Sequence, residues 1–354
     1  MERRSASAGE RESAAWCARR LVDAGASDVR VEPFRYQHTF GHVQAAHFGA
    51  AATGRLAAAL ALLSFELDYS GRSQVTRRLF PAGEGANVVG RLPAGGERRR
   101  TIVLVAHHDA AHTGLMWNPR MAVGGSREGH PSFALLPELA MAAMALGPRR
   151  LKGPARAVLA VAASLSLEVT RGATVPGASD NATGVAAVIE LVRRFAAGPL
   201  AHTEVVAVLP GAEESGMGGM AAWLATARLD PVSTLVLGLD TLGAGEPMLC
   251  SAEGPLWRVR YRPEDLTLAD TGARRAGREP PRRFRIGGWT DPVLARLAGL
   301  PAISMLSLRG NSFSDYHLPT DTPERVDWTS VNDCLAIAEE TARTFACDYG
   351  MGTT

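Results

Sequence analysis

The 354-residue sequence predicts an α/β protein: a three-layer α/β/α sandwich with a mixed, mostly parallel central sheet, plus Ala/Leu-rich helical insertions. Three observations lead there. From residue 180 onward, helical and strand patterns alternate. Strands at 101–106, 204–209, 234–239 and 302–308 are largely solid apolar runs, as expected of strands covered on both faces. Two segments, 43–67 and 110–179, interrupt this order with runs of Ala and Leu. Apolar residues at 46% and charged residues at 21% suit a globular chain and exclude a disordered or fibrous one.

Each element follows from its pattern. Residues 7–24 carry apolar side chains at Ala14, Cys17, Leu21 and Val22 among charges and stop at Gly25, which reads as a helix. Alternation over 29–34 reads as a strand. Residues 56–63, inside the first insertion, are wholly apolar. Residues 87–92 and 101–106 read as a strand pair across the turn 93–96. A glycine-rich patch (Gly124, Gly125, Gly129) and apolar stretches at 132–147 and 155–168 follow. Helix 182–197, strand 204–209, helix 217–227 and strand 234–239 form the regular part. Helix 291–298, strand 302–308 and an amphipathic helix at 330–345 close the chain. Residues 258–285 hold nine arginines and read as a solvated polar excursion or hairpin. Without the two insertions the length is that of one large α/β domain, so residues 1–354 are expected to fold as a single elaborated domain.

Charge and cysteines narrow the function classes. A net charge of +2 offers no overall basic surface for nucleic acid. Cys17, Cys250, Cys334 and Cys347 are scattered without a CxxC, which argues for free thiols in a reducing compartment. The charged N-terminus lacks the apolar core of a secretory signal, so a cytoplasmic protein is expected. The apolar runs fall short of the ~18–20 residues of a membrane span, and Arg55, Glu138 and Arg156 interrupt or flank them. The insertions are therefore expected to roof the site, with peripheral membrane contact or self-association as their other uses.

The chemistry lies at strand ends. Strand 101–106 runs into His107, His108 and Asp109. Strand 204–209 is followed by Glu213 and Glu214, and strand 234–239 ends in Asp240. A loop before helix 182–197 holds Gly177, Asp180, Asn181 and Gly184, and a loop after 302–308 holds His317. In open α/β sheets this edge is where ligands bind. Singly, each residue has an ordinary structural reading: an Asp before a helix caps it, and paired glutamates suit a helix dipole. Together they would repel strongly unless cations neutralised them, and carboxylates with imidazoles at this density suit zinc or a similar ion.

With these residues in view, the chain resembles the zinc-dependent metallopeptidases of family 28, which include bacterial leucine-type aminopeptidases and the glutamate carboxypeptidases. The resemblance rests on Asn87-Val88-Val89-Gly90, on His107-His108-Asp109 and on Gly177 to Gly184 around Asp180. Ala212-Glu213-Glu214-Ser215-Gly216, Leu239-Asp240, and Tyr316-His317 with Asp321-Thr322 complete it. It implies an aminopeptidase-type hydrolase of a peptide or small amide, holding two Zn2+ ions per chain. By the same resemblance Asp180 bridges the two ions, His107 and Asp240 complete one site, and Glu214 and His317 the other. Asp109 orients His107, and Glu213 is the general base for a bridging water. His108 and His112 match nothing in the motifs and are expected to be structural or rim residues. An amidase or deacylase of a small metabolite is an alternative. So is a glutaminyl cyclase-like acyltransferase, which Asn181 and Tyr316 speak against. A carboxypeptidase lacks an identifiable arginine clamp, although the arginines of 258–285 leave that open. A membrane- or partner-associated scaffold of the same fold is the non-enzymatic reading.

Overall fold

A computed structural model describes residues 1–118 and 132–347. Among these, nine strands form one sheet. They are β1 (Ser27–Tyr36), β2 (Gly83–Leu92), β3 (Gly95–Val105), β4 (Ala201–Leu209), β5 (Thr234–Leu239), β6 (Glu246–Glu253), β7 (Val259–Arg260), β8 (Arg282–Ile286) and β9 (Ala302–Leu308). Their order is β1-β2-β4-β3-β5-β9-β6-β7, with β8 beside β6. The centre, β4-β3-β5-β9, is parallel, whereas β2 joins β4 and β6 joins β9 antiparallel. Every residue of β5 and β9 is buried, as their unbroken apolar runs require.

Ten α-helices among the described residues accompany the sheet: α1 (Ala8–Asp23), α2 (Gly41–Thr53), α3 (Arg55–Tyr69), α4 (Ser132–Leu146), α5 (Arg149–Val169), α6 (Thr183–Ala197), α7 (Gly218–Thr226), α8 (Pro263–Arg275), α9 (Pro292–Leu297) and α10 (Trp328–Cys347). Helices α1, α6 and α10 pack side by side with α8 against α10, while α7 lies beside α9. At α1, Ser7 caps the helix by accepting from the Glu10 backbone N–H at 3.2 Å. The buried Glu10 carboxylate accepts N–H groups from Ala6, Ala86 and Ala212 at 2.8, 3.0 and 2.8 Å. That one side chain fastens the N-terminus to β2 and to the loop after β4.

The Ala/Leu-rich segments form a second apolar cluster apart from the sheet core. Phe48 of α2, Phe65 of α3, Met141 and Met144 of α4 and Leu159 of α5 meet in it. Alanine lets the four helices approach closely, and the chain breaks between α2 and α3 at Gly54. No helix among the described residues is long and apolar enough to cross a membrane.

Two buried carboxyls sit awkwardly in this cluster. Burial, followed by the charge of Glu66, pushes the Glu138 carboxyl up to about 9. Arg72 faces Glu66 and offsets part of its burial. A carboxyl raised in the folded chain binds a proton that the unfolded chain has released. Stability therefore falls as pH rises from about 4.5 towards 9, at up to about 1.4 kcal/mol per pH unit. Glu138→Gln is expected to flatten that slope and to raise the melting temperature at pH 8. An unchanged slope in thermal scans from pH 5 to 9 would remove Glu138 as its source.

The structure corrects two expectations. Residues 87–92 and 101–106 are strands but not partners, because β4 lies between β2 and β3. The turn at 93–96 instead steps beneath β4, where the Gly95 N–H donates to Leu200 O at 2.9 Å. Strand patterning of this kind does not specify a neighbour. Residues 258–285 are not a solvated excursion: α8 packs on α10, and β8 joins β6 in parallel. Their arginines brace this packing, with Arg283 donating to Asp270 at 2.6 Å and Arg278 to Asp333 at 2.5 Å. Strand β6 has no counterpart in the sequence reading. The glycine patch at Gly124, Gly125 and Gly129 lies outside the described residues.

Candidate metal centre

The site gathers at the C-terminal ends of the parallel strands. β3 delivers His107 and Asp109, β4 leads into Glu213 and Glu214, and β5 ends before Asp240. Asp180 precedes α6, and His317 follows β9. Asn181 holds the Asp180 loop in place. Its side chain donates to Leu239 O at 3.0 Å and accepts from the Gly184 and Thr241 N–H groups at 3.0 and 3.2 Å. Asn181 thereby does the capping work at the start of α6 and leaves the Asp180 carboxylate turned to the site. Asp321 supports the same loop from behind, accepting the N–H groups of Ser179 and Asp180 at 2.7 and 3.1 Å.

All seven residues named from the sequence converge. Asp180 Oδ1 lies 3.2 Å from His107 Nε2, and its Oδ2 lies 3.3 Å from His317 Nε2. Glu214 Oε2 is 2.9 Å from His317 Nε2, and Asp240 Oδ1 is 3.8 Å from His107 Nε2. Glu213 Oε2 stands 3.9 Å from His107 Nε2. Asp109 reaches His107 Nδ1 at 3.3 Å and also accepts the Glu213 and Glu214 backbone N–H groups at 3.1 and 3.2 Å. It therefore orients an imidazole and anchors the glutamate loop at once, with Ser5 Oγ donating to it at 2.6 Å. Ala212, Thr241 and His317 adopt left-handed φ values of 50°, 49° and 55°. Such backbone persists where the surroundings over-determine it, as at functional sites.

The electrostatics are strongly perturbed. Burial pulls His317 down, but Glu214 and Asp180 outweigh it and hold the imidazole at about 10. His107 is likewise held well above its usual range against burial, by Glu213, Asp109 and Asp180. Burial, reinforced by neighbouring carboxylates, lifts Glu214 to about 7 and Asp240 to about 6, and lifts Glu213 strongly. Titratable groups that disturb one another to this degree in a buried cluster mark a functional site.

The donor chemistry fits divalent zinc-like ions. One ligand atom each from His107, Asp180 and Glu214 lies within 4.8 Å of the others. Glu214 Oε1 is buried without a hydrogen bond, and His317 Nε2 faces the Asp180 and Glu214 carboxylates across the same shared space. Imidazole and carboxylate oxygens in this arrangement could hold a zinc-type ion.

Several contributors were not legible in sequence. Asp291, at the start of α9, is buried with neither carboxylate oxygen hydrogen-bonded, and its charge reaches Glu213 and His107. Glu253 holds that corner, accepting from the Thr290 N–H and Oγ1 at 2.7 and 2.6 Å. Arg3 donates to the carbonyls of Pro176 and Gly177 beneath the Asp180 loop. None of these residues belongs to a local motif; only the fold brings them in. His108 and His112 serve the scaffold: His108 Nε2 lies 2.8 Å from Ala86 O and His112 Nδ1 2.8 Å from Gly172 O.

A cavity of about 120 Å³ opens onto Glu213, Glu214 and His317. Its walls are mostly apolar and aromatic, with Phe40, Phe48, Phe65 and Tyr69 coming from in and around α2 and α3. Trp117 packs edge-on against His317 at 4.3 Å, and Tyr316 stacks on it at 3.8 Å. None of the nine arginines of 258–285 lines it. Arg77 does, but it is paired with Asp68 at 2.9 Å.

The model of peptidase family M28 matches residues 87–342. No curated protein matches the sequence. Among solved structures, the chain is similar to BSAP, a zinc aminopeptidase from Bacillus subtilis. The TM-score is 0.58 at 14% identity, over 96% of this chain and 90% of that one. An aminopeptidase from Aneurinibacillus sp. strain AM-1 also aligns, with a TM-score of 0.58 at 14% identity over 97% and 90% of the two chains. A glutaminyl cyclase from Bacteroides thetaiotaomicron shares the fold too, with a TM-score of 0.58 at 13% identity over 96% and 91%.

Proposed function

The chain belongs to peptidase family M28, a zinc metallopeptidase family, and on that premise we propose that it is an aminopeptidase-type amide hydrolase working with two zinc ions. The observation that supports this most directly is the Asp180 carboxylate. Its two oxygens face different imidazoles, 3.2 Å from His107 and 3.3 Å from His317. A carboxylate placed in this way suits a bridge between two ligand sets, His107 with Asp240 and Glu214 with His317. Zinc bound there would polarise the scissile carbonyl and acidify water.

The chain's own groups do the rest. Glu213 is the base: buried beside the ligands, it takes a proton from the attacking water and returns it to the departing nitrogen. Asp109 holds both the His107 ring and the Glu213 backbone, so base and ligand keep one geometry. Thr241 Oγ1 donates to Asp240 Oδ1 at 2.8 Å and fixes that carboxylate. The acidic cluster attracts the ammonium of a free N-terminus, and the aromatic cavity takes an apolar side chain. Residues 1–354 act as one domain in this reading, with insertions 43–67 and 110–179 roofing the site.

Turnover of a panel of free and N-acetylated aminoacyl amides tests the reading. Free substrates with apolar side chains should be cleaved at least tenfold faster than blocked or acidic ones. Preference for blocked substrates would point to a deacylase. Cyclisation of N-terminal glutamine with one tightly held ion would point to the cyclase activity named for one structure of this fold.

A further inference from the structure

The four helices of the insertions have two unlike ends. The cavity walls come from one end of the bundle: Phe40 and Gln44 at the start of α2, Phe65 and Tyr69 near the end of α3, Pro137 near the start of α4, and Ser166 near the end of α5. The opposite ends, after Thr53 and Leu146, therefore project away from the site. At ~1.5 Å per residue the 13 residues of α2 separate the two ends by ~20 Å. Arg55 Nε donates to Ala145 O at 3.2 Å and Arg156 Nε to Ala52 O at 3.0 Å, so both interhelical turns meet at this far end.

Its charge is one-sided. The chain as a whole is nearly balanced at +2, yet no Asp or Glu occurs from residue 33 to 65 or from 139 to 167. Arg55, Arg149, Arg150, Lys152 and Arg156 all lie at the far end. The Lys152 ammonium is held below its usual range, first by desolvation and then by Arg55, Arg156 and Arg149, which places those charges together. The same end exposes leucine. Leu56, Leu60 and Leu63 form one stripe on α3 at 74%, 60% and 53% exposure, and Leu146 at the end of α4 is 82% exposed. Beside them Leu63, Leu146, Leu256 and Trp257, together with Glu66, line an open groove. A helix facing only water carries polar residues there.

We propose that this end of the helical insertion docks peripherally on an anionic lipid bilayer, seating the α3 leucines and Leu146 at the headgroup boundary while Arg55, Arg149, Arg150, Lys152 and Arg156 meet lipid phosphates. Lipid is the occupant that satisfies both features at once. Apolar side chains leave water at the interface, and basic residues gain from the negative surface potential. A second copy fits worse, since a two-fold contact through this surface sets five cations against five. A polyanion without an apolar phase would leave the leucines wet. The site itself faces away from the contact, so a bound chain keeps its cavity open to substrate.

Co-sedimentation of the full chain with vesicles decides it. Vesicles of pure phosphatidylcholine are compared with vesicles holding one third phosphatidylglycerol, at 50 and 500 mM salt. Binding should favour the anionic vesicles at least tenfold and weaken at least tenfold at high salt. The triple variant R149E/R150E/K152E should lose that binding. A control of equal charge change at exposed positions elsewhere, R19E/R228E/R309E, should keep most of it. L56S/L60S/L146S should also lose binding with the cations intact, and circular dichroism should show both tip variants folded. Absence of binding to anionic vesicles, equal loss in the control triple, or undiminished binding of the leucine variant would each overturn the proposal. So would a concentration-dependent dimer abolished by the leucine changes without any vesicle binding. Because the readout is sedimentation, failure here leaves the hydrolase reading standing, and failure of that reading leaves this one standing.

Discussion

Glu213→Gln is expected to hold zinc as the native chain does and to lose hydrolysis by about 10²–10⁴-fold. The substitution keeps the shape of the side chain and removes its ability to take a proton. Glu213 is largely shielded and close to His107, 3.9 Å from Nε2, but the tighter contacts of the cluster belong to other residues. His317 Nε2 lies 3.3 Å from Asp180 and 2.9 Å from Glu214, contacts that do not involve Glu213, so metal binding should survive. Two measurements on one preparation check this: metal content by atomic emission and initial rates across pH. A variant that keeps full activity would eliminate Glu213 as the base. One that loses metal along with activity would make it a ligand.

The second large effect is at Asp180. Asp180→Ala should lose activity and most zinc together, because its two oxygens face His107 and His317 separately. The stability consequence is separable. Buried carboxylates at Asp180, Glu213, Glu214 and Asp240 repel one another unless cations or shared protons neutralise them. Zinc at about 100 times its dissociation constant should stabilise the native chain by about 2.7 kcal/mol. For a chain of this size that is a rise of several degrees in melting temperature, reversed by a chelator. In Asp180→Ala the rise should vanish. An equal zinc-dependent shift in the variant would place the ions elsewhere.

Legibility followed the range of the interaction that decides each feature. The strand ends bearing His107, Glu213, Glu214 and Asp240 could be read because apolar runs and the polar residues that follow them are local signals. The Asp180–Asn181 pair was ambiguous, since an Asp before a helix ordinarily caps it. The structure divides the labour: Asn181 bonds the Gly184 N–H and Asp180 faces the histidines. The β2–β3 pairing differs from the expected one because a short Gly- and Pro-containing turn between two strand-like segments looks like a hairpin. Only the insertion of β4, with its own apolar run, gives all three strands partners on both sides. The nine arginines of 258–285 suggested a solvated surface because charge in sequence does not reveal partners. Asp333 engages Arg278 only after α8 docks on α10, and Asp270 of α8 engages Arg283 only once β8 has joined the sheet.

Residue order alone was enough for the fold class and for placing the candidate residues at strand ends, because both rest on short-range periodicity and on the polar residues that follow each apolar run. Packing alone decided who stands behind them. Ser5 reaches Asp109 across 104 positions, Asp321 supports Asp180 from 141 away, and the charge of Asp291 reaches Glu213 from a separate helix. The insertions show the same division. Their Ala and Leu content announced helices, but the pairing of α2–α5 turned one end into an aromatic wall over the site and the other into a cationic, leucine-bearing tip. Side-chain periodicity specifies which face of a helix is apolar. Which of those faces finds a partner is settled by long-range contacts, and these exist only once the chain has closed on itself.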